Sequence, residues 1–234
     1  SGTIVLFGIL WKKYYSKLKN KNNNDFILKK SVVWKESLYL GLVIFLIQFY
    51  FRVDTIMLGI MTSKEEVGLY NMAYNLMEGT FFIPTIVMAS IFPGLSKEKF
   101  FTSYLKKGAY LLTLSGFLCA MAIFFFADLI INYFFTPEFK KSVDLLKILS
   151  YAIPLVFWGY LTTQSLIALD RTKLFLIISV IGLTINVILN FLFIPIIGAE
   201  GAAIATVITE AFIPLSCLLI IFKYKPLSSP DNES

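Results

Sequence analysis

Six apolar runs, each long enough to cross a bilayer, divide this 234-residue chain, and short polar loops separate them. The runs cover 37–61, 67–93, 104–127, 143–169, 174–194 and 201–222. A helix that crosses the hydrocarbon core needs roughly 20 apolar residues. The pattern predicts an all-α fold: a polytopic integral membrane helix bundle with six full transmembrane helices. The protein's work must therefore concern something that crosses, enters or is made at a membrane.

Ahead of the first run, Thr3 to Trp11 form a shorter apolar stub, followed at once by Lys12 and Lys13. A signal peptide carries its positive charges before its apolar stretch, and here the order is reversed. Residues 1–11 read as the end of a truncated preceding transmembrane helix, so the chain is expected to be a C-terminal piece of a longer one. Residues 12–36 read as a basic cytoplasmic linker, 37–222 as a six-helix lobe, and 223–234 as a cytoplasmic tail.

The charges orient these helices. Of 21 Lys and Arg, eight lie between Lys12 and Lys35. Lys97, Lys99, Lys106, Lys107, Arg171, Lys173, Lys223 and Lys225 fall on the same side of the alternating topology. Lys64, Lys140, Lys141 and Lys147 fall on the other, and Arg52 lies within a span. Positive loops stay in the cytoplasm, which places the 12–36 stretch and the C-terminus there. This expectation is a multi-pass protein of a bacterial or archaeal cytoplasmic membrane. It also accounts for the net charge of +6 with the lipid bilayer, not nucleic acid, as partner. The Lys-rich stretch with Asn22, Asn23 and Asn24 reads as a connector that fixes topology.

Several kinds of chemistry are absent. The chain has no His, which removes a Ser-His-Asp triad, a His-containing zinc site and a His proton shuttle. Cys119 and Cys217 sit in separate spans with no CxxC pair, and read as buried apolar thiols. No GxxxxGK[ST] loop is present, so no nucleotide is bound in that manner. Nothing points to an enzyme, a metal or a resident cofactor.

Polar residues inside the spans carry what functional signal remains. Gln48, Arg52 and Thr55 are spaced i, i+4, i+7 and share one helix face, which Gly59 continues. Asn71, Asn75 and Glu78 repeat the spacing in the second span. Tyr160 and Gln164 are four apart in the fourth. Ser179, Gly182, Asn186 and Asn190 line one face of the fifth, and Thr206 and Glu210 one face of the sixth. The third span is almost wholly apolar and reads as lipid-facing or structural. Such amides and hydroxyls can simply join helices, at about 0.6–2 kcal/mol each. Ionisable groups are different, costing roughly 2.5–3.5 kcal/mol at mid-membrane. Arg52, Glu78 and Glu210 on polar stripes therefore predict a hydrated pathway, with Gln48, Asn71, Asn75, Gln164, Asn186, Asn190 and Thr206 beside them. Arg52 and Glu78 fall at similar depth and can pair. Asp54, two residues from Arg52, points roughly 200° away, toward another helix near the outer surface. Pro84, Pro154 and Pro214 each remove a backbone hydrogen bond and can kink their helices, or serve simple packing, since Pro is common in membrane helices.

The residues also resemble a known family. Arg52-Val53-Asp54-Thr55-Ile56-Met57-Leu58-Gly59, then Glu66-Val67-Gly68-Leu69-Tyr70-Asn71-Met72-Ala73, Ile83-Pro84 and Phe92-Pro93-Gly94-Leu95-Ser96 resemble the seventh and eighth helices of bacterial polysaccharide-unit flippases. Asn186-Val187-Ile188-Leu189-Asn190, Ile194-Pro195, Gly198 and Gly201-Ala202-Ala203-Ile204-Ala205-Thr206 resemble their eleventh and twelfth. Pro137-Glu138-Phe139 and Leu145-Leu146-Lys147-Ile148-Leu149 resemble the loop and start of the tenth. These flippases serve O-antigen, capsule and exopolysaccharide synthesis, within the multidrug/oligosaccharidyl-lipid/polysaccharide (MOP) exporter superfamily.

The resemblance implies two six-helix lobes around a cavity that opens alternately to each side. This chain would be the C-terminal half, with an N-terminal six-helix lobe as its partner. The implied cargo is a polyprenyl-diphosphate-linked oligosaccharide. On that reading Arg52 can meet phosphate, and Asn75, Gln164, Asn186 and Asn190 can hydrogen-bond sugars. Glu78 or Glu210 can carry a coupling H+ or Na+. Alternatives are a cation-coupled drug antiporter of the same superfamily or a flippase for the peptidoglycan precursor lipid II. A membrane enzyme acting on polyprenyl-linked sugars fits less well, because the outer loop near 128–142 holds only Asp128 and Glu138 as acidic groups.

Overall fold

The computed structural model describes residues 52–224, together with the single helical positions Leu38 and Phe49. The stub 1–11, the linker 12–36, most of the run 37–61 with Gln48, and the tail beyond Tyr224 lie outside the described residues. The chain divides into two units, Ser1–Val53 and Asp54–Ser234, and the packed helices belong to the second.

Every element among the described residues is helical. Helix α1 covers 52–61. A turn at Thr62 and Ser63 leads to α2, Lys64–Glu78. A 3₁₀ turn, Gly79–Phe81, joins it to α3, Phe82–Leu95. Helix α4 is Phe101–Phe134. A second 3₁₀ turn, Pro137–Lys141, precedes α5, Ser142–Ser150, and α6, Ala152–Ala168. Helix α7, Thr172–Tyr224, is interrupted at Ile197 and Gly198.

Among the described residues three stretches are long and apolar enough to cross a membrane, Lys64–Leu95, Glu98–Phe134 and Thr172–Tyr224, and a fourth qualifies if α5 and α6 form one bent span. The last stretch has 53 residues. At about 1.5 Å per residue that is about 80 Å, more than twice the bilayer core, so it has the length for two crossings. Its two limbs fold back on each other. A Cβ at Gly201 would fall 2.6 Å from the Phe193 carbonyl carbon, and one at Gly182 would fall 3.1 Å from Ile213. These pairings have a nearly constant residue sum, as in an antiparallel helical hairpin. Gly198, at φ 58°, makes the corner, in a backbone region that glycine enters without a Cβ penalty.

The prolines act unequally. Pro154 cannot bond the Ser150 carbonyl, and the axis bends by 44° between α5 and α6. Pro84 follows the 3₁₀ turn Gly79–Phe81 between α2 and α3, inside one continuous stretch, Lys64–Leu95. The second limb of α7 continues as helix through Pro214, so no break marks that proline.

Helix α4 extends seven residues past the expected end at 127, because Leu129, Ile130, Ile131 and Phe134 prolong its apolar pattern. One face buries Gly108, Leu112, Gly116, Ala127 and Ile131. At Gly116 the backbone of Pro154 comes so near that a Cβ would lie 3.1 Å from its Cα, the close approach that small residues allow between membrane helices. The opposite face exposes Leu114, Phe117, Leu118, Met121, Phe125 and Leu129. That accords with the lipid-facing or structural part expected of the third run.

Candidate functional site

Two helical hairpins meet at a buried carboxylate. The first is α1 with α2, turning at Thr62 and Ser63. The second is the pair of α7 limbs, turning at Ile197 and Gly198. Asp54 lies eight residues before Thr62, and Tyr70 seven after Ser63. Asn190 lies seven before Ile197, and Thr206 eight after Gly198. Four helices thus bring polar groups to one depth, about 11 Å below a shared end at 1.5 Å per residue.

The contacts are short. Asn190 Nδ2 donates to Asp54 Oδ1 at 2.6 Å. Thr206 Oγ1 lies 2.8 Å from Asp54 Oδ2 and 2.9 Å from the Ala202 carbonyl. Tyr70 Oη lies 3.1 Å from both Asp54 Oδ2 and Thr206 Oγ1. Asn190 Nδ2 also reaches the Asn186 carbonyl at 3.0 Å and Asn186 Oδ1 at 2.9 Å. Asp54 is 4% exposed and Asn190 0%. Next to this set, Thr55 donates to Asn71 Oδ1 at 2.8 Å, tying α1 to α2 again.

Tyr70 and Thr206 bring one hydroxyl hydrogen each to this cluster, and the Asn186 and Asn190 amides two each. Around them stand both Asp54 oxygens, Asn186 Oδ1, the Ala202 and Asn186 carbonyls and Thr206 Oγ1. Asn190 Oδ1 is buried with no partner among the described residues. Such an atom costs about 1–3 kcal/mol if nothing satisfies it. An oxygen-rich cluster built around one buried carboxylate suits a proton or a small hard cation, which oxygen ligands prefer. Among the described residues no three His, Cys, Asp or Glu gather, so a transition-metal centre has no ligand set there. Asp54, Asn186, Asn190, Thr206 and the Ala202 carbonyl are the groups that could hold a single positive charge.

The expected site residues divide by burial. Gln164, Asn186, Asn190, Thr206 and Glu210 are buried. Asn71 and Glu78 are half-buried, whereas Arg52 and Asn75 are exposed. Asn186, Asn190 and Thr206 come together around Asp54. Tyr160 lies within electrostatic reach of Glu210 and Glu78, and its ring packs 6.4 Å from that of Phe81. Gln164, one turn along α6 from Tyr160, has a buried Oε1 with no partner among the described residues. Arg52 belongs to the first unit and Glu78 to the second.

Asp54 and Tyr70 were absent from the expected pathway. Asp54 faces away from the Arg52 stripe, and Tyr70 reads as an ordinary apolar position. A usable signal existed: Asp54, Tyr70, Asn190 and Thr206 each lie seven or eight residues from a turn on the same side of the topology.

Residues 1–99 match the protein family described as "Polysaccharide biosynthesis protein". Two proteins of Haloferax volcanii are similar over most of the chain. One, named "Probable flippase AglR", is 32% identical over 171 residues, which is 68% of this chain and 35% of that protein. The other, named "Probable low-salt glycan biosynthesis flippase Agl15", is 28% identical over 172 residues, 70% of this chain and 36% of that protein. The chain thus covers about a third of the length of these relatives.

Proposed function

We propose that this chain, a multi-pass membrane protein of the polysaccharide-flippase family within the MOP exporter superfamily, is one six-helix lobe of a lipid-linked oligosaccharide flippase. Its cargo is a polyprenyl-diphosphate-linked unit for surface polysaccharide synthesis, moved across the cytoplasmic membrane by alternating access opposite a second lobe. The observation that carries this reading is the pair of flippase relatives, matched over 68% and 70% of the chain. The apolar helix bundle supports it. So do the polar side chains held inside that bundle, because a transporter needs them and a lipid-filled scaffold would be destabilised by them.

Two groups of residues take two tasks. Arg52, Asn75 and Glu78, exposed or half-buried, face the cargo, with Gln164 and Glu210 deeper. The guanidinium meets diphosphate and the amides meet sugar hydroxyls. Asn186, Asn190 and Thr206 are tied to Asp54 inside the lobe, so their task is the coupling H+ or Na+ and not the cargo. A bound cation would supply the positive charge that the acceptor-rich cluster lacks, and would give Asn190 Oδ1 a partner. The chain's own part is to hold two hairpins against one carboxylate, so that a change of charge there changes how the hairpins are joined.

The test is complementation. The complete protein carrying this chain, expressed in a strain lacking its surface-polysaccharide flippase, should restore polymer at the cell surface. Restored resistance to cationic drugs without restored polymer would assign the chain to the drug antiporters instead.

A further inference from the structure

The tips of the two hairpins are joined by one side chain. Ser63 caps α2, its hydroxyl accepting from the Glu66 N–H at 3.3 Å. A glutamate three residues after such a cap commonly turns back toward its own helix start. Here Glu66 Oε2 accepts from the Ala199 N–H of α7 at 3.0 Å, across 133 residues of sequence. The first amides of a helix have no partner within it, and Ala199 is the first residue after the corner and is buried. A negative group at that end is favoured by the helix dipole as well. The corner is shaped around this contact. A Cβ on Gly198 would lie 3.0 Å from Glu66 Oε2, so a side chain there would press on the carboxylate.

We propose that Glu66 is a positioning residue for the Asp54 cluster. Its carboxylate fixes where the second limb of α7 begins. Two turns further on, that limb presents the Thr206 hydroxyl to Asp54, the same hydroxyl lying 2.9 Å from the Ala202 carbonyl one turn before it. A limb free to slide or rotate at its start delivers that hydroxyl at the wrong height. Glu66 touches neither Asp54 nor the coupling ion; it acts through the helix. The role rests on the reading of the cluster as a coupling site, whereas the clamp itself does not.

The complete protein is compared with its Glu66→Ala and Glu66→Gln variants, the glutamine keeping an acceptor oxygen at the same reach. Amide exchange read by mass spectrometry should quicken about fivefold at Ala199 in Glu66→Ala, the scale of a lost helix cap. The peptide holding Leu112 in α4 should exchange at the wild-type rate, and Glu66→Gln should restore Ala199. Equilibrium binding of radiolabelled Na+ at fixed pH should need about fivefold more Na+ for half-saturation in Glu66→Ala, with the number of sites unchanged and recovery in Glu66→Gln. Unchanged exchange at Ala199 in folded Glu66→Ala protein overturns the clamp. Faster exchange with an unchanged half-saturating Na+ concentration overturns the positioning role. A wild type that binds no Na+ defeats the Na+ form of the coupling reading and the positioning role with it, while exchange at Ala199 still decides the clamp.

Discussion

Asn190 donates a 2.6 Å hydrogen bond to Asp54 while its own side-chain oxygen stays buried with no partner among the described residues. The amide is therefore half used. Its nitrogen faces the carboxylate because an oxygen there would meet like charge. A cation beside Asp54 would remove that objection, and the amide could then present Oδ1. This one side chain can report the charge state of the cluster by which way it turns.

The cluster is the first place to intervene. Asp54→Asn should abolish Na+ binding by the purified protein, since it removes the only carboxylate in the set. Thr206→Val removes a hydroxyl of nearly equal volume. It should lower stability by about 1 kcal/mol and weaken Na+ binding, with Thr206→Ser restoring both. Thermal unfolding in detergent and equilibrium Na+ binding measure the two effects. Wild-type Na+ affinity in both Asp54→Asn and Thr206→Val would leave the cluster as helix-joining structure only.

The hairpin in α7 makes a steric prediction. Gly201→Ala places a Cβ 2.6 Å from the Phe193 carbonyl carbon, and backbone cannot move aside as a side chain can. Overpacking of this kind costs about 1–3 kcal/mol. Gly68→Ala in α2 meets nothing within 4 Å and should be neutral, or stabilising by up to about 1 kcal/mol through helix propensity. Melting temperatures in one detergent compare them; equal values for the two variants would contradict the close antiparallel packing.

The cargo pathway is tested by charge removal. Arg52→Ala and Glu78→Ala in the complete protein should impair surface-polysaccharide export while the protein still inserts. Leu114→Ala should be much milder, because that side chain lies on the apolar exposed face of α4. Surface polymer per cell, normalised to membrane protein level, is the measurement. Normal export by both charge variants would return Arg52 and Glu78 to a packing role.

Orientation is tested by labelling. In an otherwise Cys-free protein, Ser63→Cys and Lys140→Cys should react with an impermeant maleimide added to intact cells. Ser103→Cys should react only after the cells are opened. The split of the loop charges motivates this expectation, and reaction of Ser103→Cys in intact cells would invert the topology.

Hydropathy and charge are sums over neighbours in the chain, so much could be read without a structure. The apolar run 67–93 became α2 and α3, 104–127 lies within α4, 143–169 became the bent pair α5 and α6, and 174–194 and 201–222 became the two limbs of α7. Residue spacing also placed Asn186 with Asn190, and Thr206 with Glu210, on common faces. What remained hidden was which faces meet. Asp54 touches Asn190 and Thr206 across separations of 136 and 152 residues, and no local pattern encodes a contact at that range. Packing chose Asp54 over its neighbour Arg52 for the interior, because a helix turns about 100° per residue and only one of two faces can be sealed. The same packing withdrew Asn186 and Asn190 from any exposed surface and carried Glu66 away from its own helix to the start of another. Helix existence follows from what each segment cannot leave unbonded in lipid; the meeting of Asp54, Asn190 and Thr206 follows from two hairpins closing on each other, which only the tertiary structure decides.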